Sequence, residues 1–203
     1  MNEKYKQYKR IFPKLKLSYT LYKLWLRKDY SAIWNYLTGL GEAYTSTAMD
    51  NGKDVHKYLE EHSILPAVRE LIGKTKKYKK EWKIEKEMDL YKLVGILDLS
   101  TPKIIIDYKS GKSQSGYDRQ LSFYAYLTFL ATGKIPEHGA IVYVEGYKDD
   151  NLDIVEVEVI KTSMYEINEK KVFEWEEVLY EIYNEINYEI KKGSLDKFLK
   201  LNQ

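Results

Sequence analysis

GILDLSTPKIIIDYKSGK, residues 95–112, is the stretch whose reading decides the fold. Leu93 to Leu99 is a short apolar run, and Lys103 to Lys109 holds three consecutive isoleucines; Ser100-Thr101-Pro102 stands between them as punctuation. Two apolar runs split by turn residues predict an antiparallel pair of strands. If the loop is centred between Thr101 and Pro102, Asp98 faces Ile105 and Asp107 faces Ile96. Opposed residues share a sheet face, and residues two apart on a strand return to it. Asp98, Asp107 and Lys109 then project from one face and Tyr108 from the other. Asp98 and Asp107 become diagonal neighbours, roughly 7–8 Å apart at Cα.

Two carboxylates beside a run of isoleucines repel, and each is costly to desolvate unless paired. A divalent cation removes both penalties, and a few hard oxygen ligands suit Mg²⁺ or Mn²⁺. The backbone carbonyl of Tyr108 offers a further neutral oxygen. Lys109 is placed to orient or activate an attacking water and to stabilise developing negative charge. For these three residues alone, an ordinary Asp–Lys ion pair at a strand end is the plainer alternative.

Outward from this centre the pattern predicts a mixed α/β chain. Residues 15–40 read as helical, through Leu17, Leu21, Leu24, Trp25, Ile33, Trp34 and Leu37, with a stop at Gly39 and Gly41. A second helix is expected from about Asp54 to Glu61 and a third from Pro66 to Ile72, ended by Gly73. Trp82 to Asp89 alternates like a strand, which makes three successive antiparallel strands. After a polar loop from Gly111 to Gly116, Tyr117 to Ala131 has helical periodicity and stops at Gly133. Gly139 to Glu145 and Leu152 to Ile160 read as strands, and Phe173 to Lys192 as a long amphipathic helix ending at Gly193.

The 203 residues allow one domain with a substantial core. The expected division is a helical cap over 1–50, a core over 51–165 and a C-terminal helix over 166–203. The basic start leads into no apolar region, and Phe123 to Ala131 is too short to cross a bilayer. No membrane partner is expected, and with no cysteine the location expected is cytoplasmic. Net charge is only +2, but residues 1–28 carry nine Lys/Arg against the single acid Glu3. Lys74, Lys76, Lys77, Lys79, Lys80 and Lys83 form a second basic cluster that includes only Glu81, whereas Glu145 to Glu189 is strongly acidic. Such polarity suggests a polyanion-facing side, or simply solvated faces. Aromatic residues at Tyr5, Tyr8, Phe12, Tyr19, Tyr22 and Trp25 interleave the N-terminal charges, which suits single-stranded nucleic acid or a cap with an aromatic core.

Four blocks occur in order: Gly52-Lys-Asp-Val-His56, Gly95-Ile-Leu-Asp98, Asp107-Tyr-Lys109-Ser-Gly111-Lys112 and Gln120-Leu-Ser-Phe-Tyr124-Ala125. Together they resemble the RecB-type branch of the PD-(D/E)XK nuclease superfamily, including the CRISPR-associated RecB-like nucleases. The resemblance implies an α/β, restriction-endonuclease-like core with a central mixed sheet flanked by helices and a helical N-terminal cap. It implies His56, Asp98 and Asp107 as metal ligands, Lys109 as the catalytic lysine, and Gln120 and Tyr124 lining the site. Gln120 and Tyr124 share a helix face, which also suits plain packing. A further upstream acid is sometimes involved in the family, and Glu85 and Glu87 are the candidates here. The iron–sulfur cluster of many relatives is excluded by the lack of cysteine. The size and the Ile/Lys/Tyr-rich composition look like the single-domain nucleases of archaeal viruses, which would put the protein in host cytoplasm. The expected activity is Mg²⁺/Mn²⁺-dependent hydrolysis of DNA, preferring single strands or ends, in replication or recombination; self-association is left open. Two alternatives remain: a catalytically silent nuclease fold used as a DNA-binding or assembly module, and a Mg²⁺ enzyme on small phosphates. The absence of a Walker-type glycine loop counts against the second.

Overall fold

The computed structural model describes residues 14–38, 47–110, 116–195 and 197, without the side chains of 47–51. The elements are β1 (Leu15–Leu17), α1 (Tyr19–Leu26), α2 (Tyr30–Thr38), α3 (Thr47–Glu61), α4 (Pro66–Ile72) and β2 (Lys79–Glu87). They continue with β3 (Tyr91–Ser100), β4 (Ile104–Ser110), α5 (Tyr117–Thr132), β5 (His138–Lys148), β6 (Ile154–Glu166) and α6 (Glu169–Lys192). Tyr5, Tyr8, Phe12, Gly39, Gly41 and the stretch 111–115 lie outside the described residues.

Two compact units divide the chain. One gathers β1, α1, α2, residues 85–95 and α6 from Phe173; the other holds α3, α4, β2 through Ile84, β3 from Ile96, and everything from β4 to Val172. In the first unit the expected single helix over 15–40 is corrected. Leu15 and Leu17 are buried while Lys16 is exposed, a period of two, and this segment pairs in parallel with the start of β3. Ser18 then caps α1, its side chain accepting from the Leu21 N–H. Lys28, at φ 52°, breaks the path before α2. The aromatics of α1 turn inward: Tyr22 packs edge-on against the fully buried Trp175 of α6, with ring centroids 4.8 Å apart. Trp25 Nε1 and Lys28 Nζ reach Glu185 at 2.8 and 2.7 Å, and Tyr30 also donates to it. These residues form a core and its ion pairs.

In the second unit a mixed sheet carries the site. β3 and β4 are antiparallel, β4 and β5 parallel, and β5 and β6 antiparallel; β2 pairs with β3. The isoleucines of β4 are buried because α3 packs on one side of β4 and β5 and α5 also covers them. Val55 and Leu59 of α3 meet Leu99, Ile106, Tyr108 and Val142 in one apolar cluster. Alternation sends Ile105, Asp107 and Lys109 away from that cluster. A Cβ on Gly139 would lie 2.8 Å from Leu121 of α5, so the glycine sets how closely helix and sheet approach. The chain has an α/β fold with a mixed sheet flanked by helices, and it includes helices at the N-terminal end.

The β3–β4 register differs from expectation by a shift of the turn. Leu99 pairs with Ile106 and Ser100 with Ile105. Thr101 is responsible: its N–H donates to the Ile104 carbonyl and its Oγ1 accepts from the N–H groups of Lys103 and Ile104. The turn therefore centres between Pro102 and Lys103, with Pro102 at the position where its fixed φ is favourable. The shift in partner is even, so the face assignment survives. Asp98, one step beyond the last pair, comes level with Asp107 itself instead of with Ile105.

Candidate active site

The β3–β4 ladder runs from the turn to Leu99 and Ile106. Just beyond it, Asp98 Oδ2 accepts the Tyr108 N–H at 2.6 Å, taking the place of a strand carbonyl. That bond turns the Asp98 carboxylate into the opening between the strands, within reach of both sheet faces.

From one side comes His56. Gly52, Val55, His56 and Leu59 share one face of α3 at helical spacing. Val55 and Leu59 anchor that face on the sheet, and Gly52 allows close approach, since a Cβ there would sit 2.9 Å from Ser110 Oγ. His56 Nδ1 lies 3.7 Å from Asp98 Oδ1, and the ring hydrogen-bonds to the Tyr108 backbone. From the other side come Asp107 and its partners. Gln120 of α5 donates to Asp107 Oδ1 at 3.0 Å and to the Tyr124 hydroxyl at 3.1 Å. Lys109 Nζ is 2.6 Å from Asp107 Oδ2. The ordinary Asp–Lys ion pair is thus present, but inside a larger constellation.

A residue that sequence reasoning passed over completes the group. Glu81 of β2 joins His56 and Asp98, with one ligand atom from each lying within 4.8 Å of the others. Glu81 has φ 44°, a left-handed conformation within a strand that a glutamate rarely adopts. Its neighbour Lys80 donates to the carbonyls of Glu60 and His62 at the end of α3, at 2.7 and 2.6 Å. A cation there suits the negative end of the helix. Glu85 and Glu87, the two candidate upstream acids, pair with Lys92 at 2.6 and 3.6 Å, and Glu87 also pairs with Lys14 at 3.1 Å. One signal could have found Glu81. Met88 N–H bonds to the Tyr91 carbonyl across the β2–β3 turn. Seven residues back from Met88 and seven forward from Tyr91 arrive at Glu81 and Asp98.

The electrostatics test whether these residues suit a cation. Burial, then the neighbouring charge of Asp107, holds Asp98 well above the usual carboxylate range; the Tyr108 N–H and Lys109 offset this only in part. Burial also raises Glu81, and Glu60 adds to it. Burial lowers His56 below the ordinary imidazole value, against the pull of Asp107 and with the help of Lys109. The imidazole is therefore neutral at pH 7, so its approach to Asp98 is not an ion pair. Two crowded carboxylates disfavour ionisation while a neutral imidazole keeps its lone pair: this donor set fits a divalent cation.

No protein-family model matches the chain, and no curated protein matches it. Solved structures do. A candidate exonuclease from Eubacterium rectale superposes with a TM-score of 0.53 at 15% identity, over 88% of this chain and 82% of that one. LHK-Exo, solved in complex with dAMP, gives 0.50 at 16% identity over 89% and 93%. A structure described as SSO0001 gives 0.42 at 19% over 81% and 75%. At such identities the likeness is one of fold alone, an α/β arrangement that this chain shares with the first two structures.

Proposed function

We propose that the protein is a divalent-metal-dependent DNA nuclease of the RecB-like type, acting on single strands or ends in replication or recombination, as in archaeal viruses. The observation that carries this reading is the convergence of His56, Glu81 and Asp98 beside the Asp107–Lys109 pair. The likeness in fold to LHK-Exo, which was solved with dAMP, supports a nucleotide-containing substrate. His56, Glu81, Asp98 and Asp107, with the Tyr108 carbonyl, would hold the cation. Mg²⁺ or Mn²⁺, once bound, offsets negative charge developing on the phosphate. The chain's own residues do the rest. Lys109 presents an ammonium to a phosphoryl oxygen and helps to orient the attacking water. Gln120 holds the Asp107 carboxylate in place, and Tyr124 holds Gln120. Fixed donors of this kind are worth most where water is excluded.

Digesting linear and circular single-stranded DNA in parallel, with Mg²⁺, Mn²⁺ or EDTA, tests the proposal with wild type and Asp107→Ala. Cleavage should require the metal and fall at least about a hundredfold in the variant. Attack on the linear form alone assigns exonuclease action. Full activity in EDTA refutes a metal site, and DNA binding without cleavage in any condition assigns a silent binding module.

A further inference from the structure

We propose that a cavity of about 400 Å³ at the far end of α5 from Asp107 is a subsite for one unpaired base and its flanking phosphates on a DNA strand. Only the placement of that strand on a path to the cluster rests on the nuclease reading. Trp82 and Tyr78 supply two aromatic surfaces; Lys77, Lys79 and Lys134 supply the charge, and among the described residues no carboxylate lines the cavity. The turn at Ser100–Pro102 and Thr128 and Thr132 of α5 complete its wall.

The charges there are uncommitted. Lys14, Lys28, Lys92 and Lys148 all pair with acids. Among the described residues Lys77, Lys79 and Lys134 pair with none. Lys79 Nζ instead lies 3.4 Å from the centroid of the Trp82 ring, and the Arg69 guanidinium is 5.3 Å from that of Tyr78. Cations gathered on aromatic faces, without acids, match a ligand that is both flat and anionic. Nucleic acid is such a ligand. Aromatic stacking accepts any base, but only one that is unpaired and unstacked. An arriving base takes the Trp82 face and releases the Lys79 ammonium to the adjoining phosphate.

The chain connects this cavity to the cluster twice. Trp82 follows Glu81 directly on β2. On α5, Gln120, Tyr124, Thr128 and Thr132 recur every four residues as a polar stripe. Gln120 grips Asp107 at one end, and Thr128 Oγ1 donates to the Tyr124 carbonyl toward the other. Helical rise places Thr128 about 12 Å beyond Gln120. That is on the order of three nucleotides at stacked spacing. A strand anchored at Trp82 would thus bring a phosphodiester to the cluster a few nucleotides away.

The test is fluorescence anisotropy of a labelled twelve-residue oligothymidine with the full chain in EDTA, where nothing is cut. Trp82→Ala should weaken binding about tenfold, and Trp82→Phe should recover most of it, because stacking needs only an aromatic face. Replacing Lys77, Lys79 and Lys134 together by Gln should flatten the slope of log affinity against log salt by about two. Equal affinity in wild type and Trp82→Ala overturns the proposal, as does failure of wild type to bind the oligonucleotide. Displacement by dAMP at the same concentration as by unlabelled oligonucleotide overturns it in favour of a free-nucleotide pocket. Adding Mn²⁺ separates the two readings. Binding through Trp82 with the strand left intact keeps the subsite and removes the nuclease assignment, and cleavage with affinity indifferent to Trp82 does the reverse.

Discussion

Replacing Asp98 by Asn should make the metal-free protein more stable while weakening its response to metal. Asp98 is partly buried beside Asp107, and its carboxyl is held well above the ordinary range by desolvation and by that charge. A raised acid pKa means that the folded state binds the proton more tightly than the unfolded chain. Stability from this group is therefore greatest at low pH and declines as pH rises from the unfolded carboxylate range to the folded pKa. The Asn side chain removes the penalty without changing shape. Its oxygen still accepts the Tyr108 N–H, and its amide can donate toward Asp107. Relieving a poorly compensated polar group of its desolvation penalty gains on the order of 1–3 kcal/mol. For a chain of this length each kcal/mol moves Tm by about 2–4 °C. Thermal melts in EDTA at pH 8 should thus rise by several degrees, and the advantage should shrink as the pH approaches the carboxylate range. Mn²⁺ at about a hundred times its Kd should stabilise wild type by about 2.7 kcal/mol and the variant by much less. A variant that melts lower in EDTA, or that gains as much from Mn²⁺ as wild type, would refute the reasoning.

Three other outcomes are expected. Lys109→Ala should lose on the order of a hundredfold in cleavage while keeping the Mn²⁺-induced rise in Tm; loss of that rise would make Lys109 part of the metal site. Glu81→Gln should raise the Mn²⁺ concentration for half-maximal cleavage about tenfold or more, an effect that loss of even a supporting partner produces. An unchanged metal titration would remove Glu81 from the site. Gly146→Ala should cost about 1–3 kcal/mol, seen as a lower Tm with the metal response intact, because its Cβ would lie 2.6 Å from Val55 and 2.9 Å from Ile154; an unchanged Tm would show that α3 yields there.

Much of the strand and helix pattern was legible where local chemistry punctuates it. Pro66 and Gly73 bound α4, and Gly133 and Gly193, both at positive φ, end α5 and α6. The residues of the site lay in recognisable blocks, and the structure brings His56, Asp98, Asp107, Lys109, Gln120 and Tyr124 together. What escaped depends on single side chains acting over a distance. A threonine hydroxyl moved the turn centre by one residue, which periodicity does not record. β1 is three residues long and makes sense only beside β3, its partner 76 residues later. Glu81 sat among six lysines and read as part of a solvated basic face. Only the pairing of β2 with β3 shows where it points.

Lys80 and Glu81 work as the fixed jaw and the scale of a calliper. Lys80 clamps the end of the helix that carries His56, and Glu81, the next residue, reaches the same cluster as that histidine. The gap between the helix-borne His56 and the strand-borne Glu81 is therefore gauged by a lysine that would touch no metal. An arginine or a shorter amine at position 80 would reset the gap while leaving every ligand in place. On the proposed metal reading, ion preference would drift through that one half-buried residue, along a route that comparing ligands alone would miss.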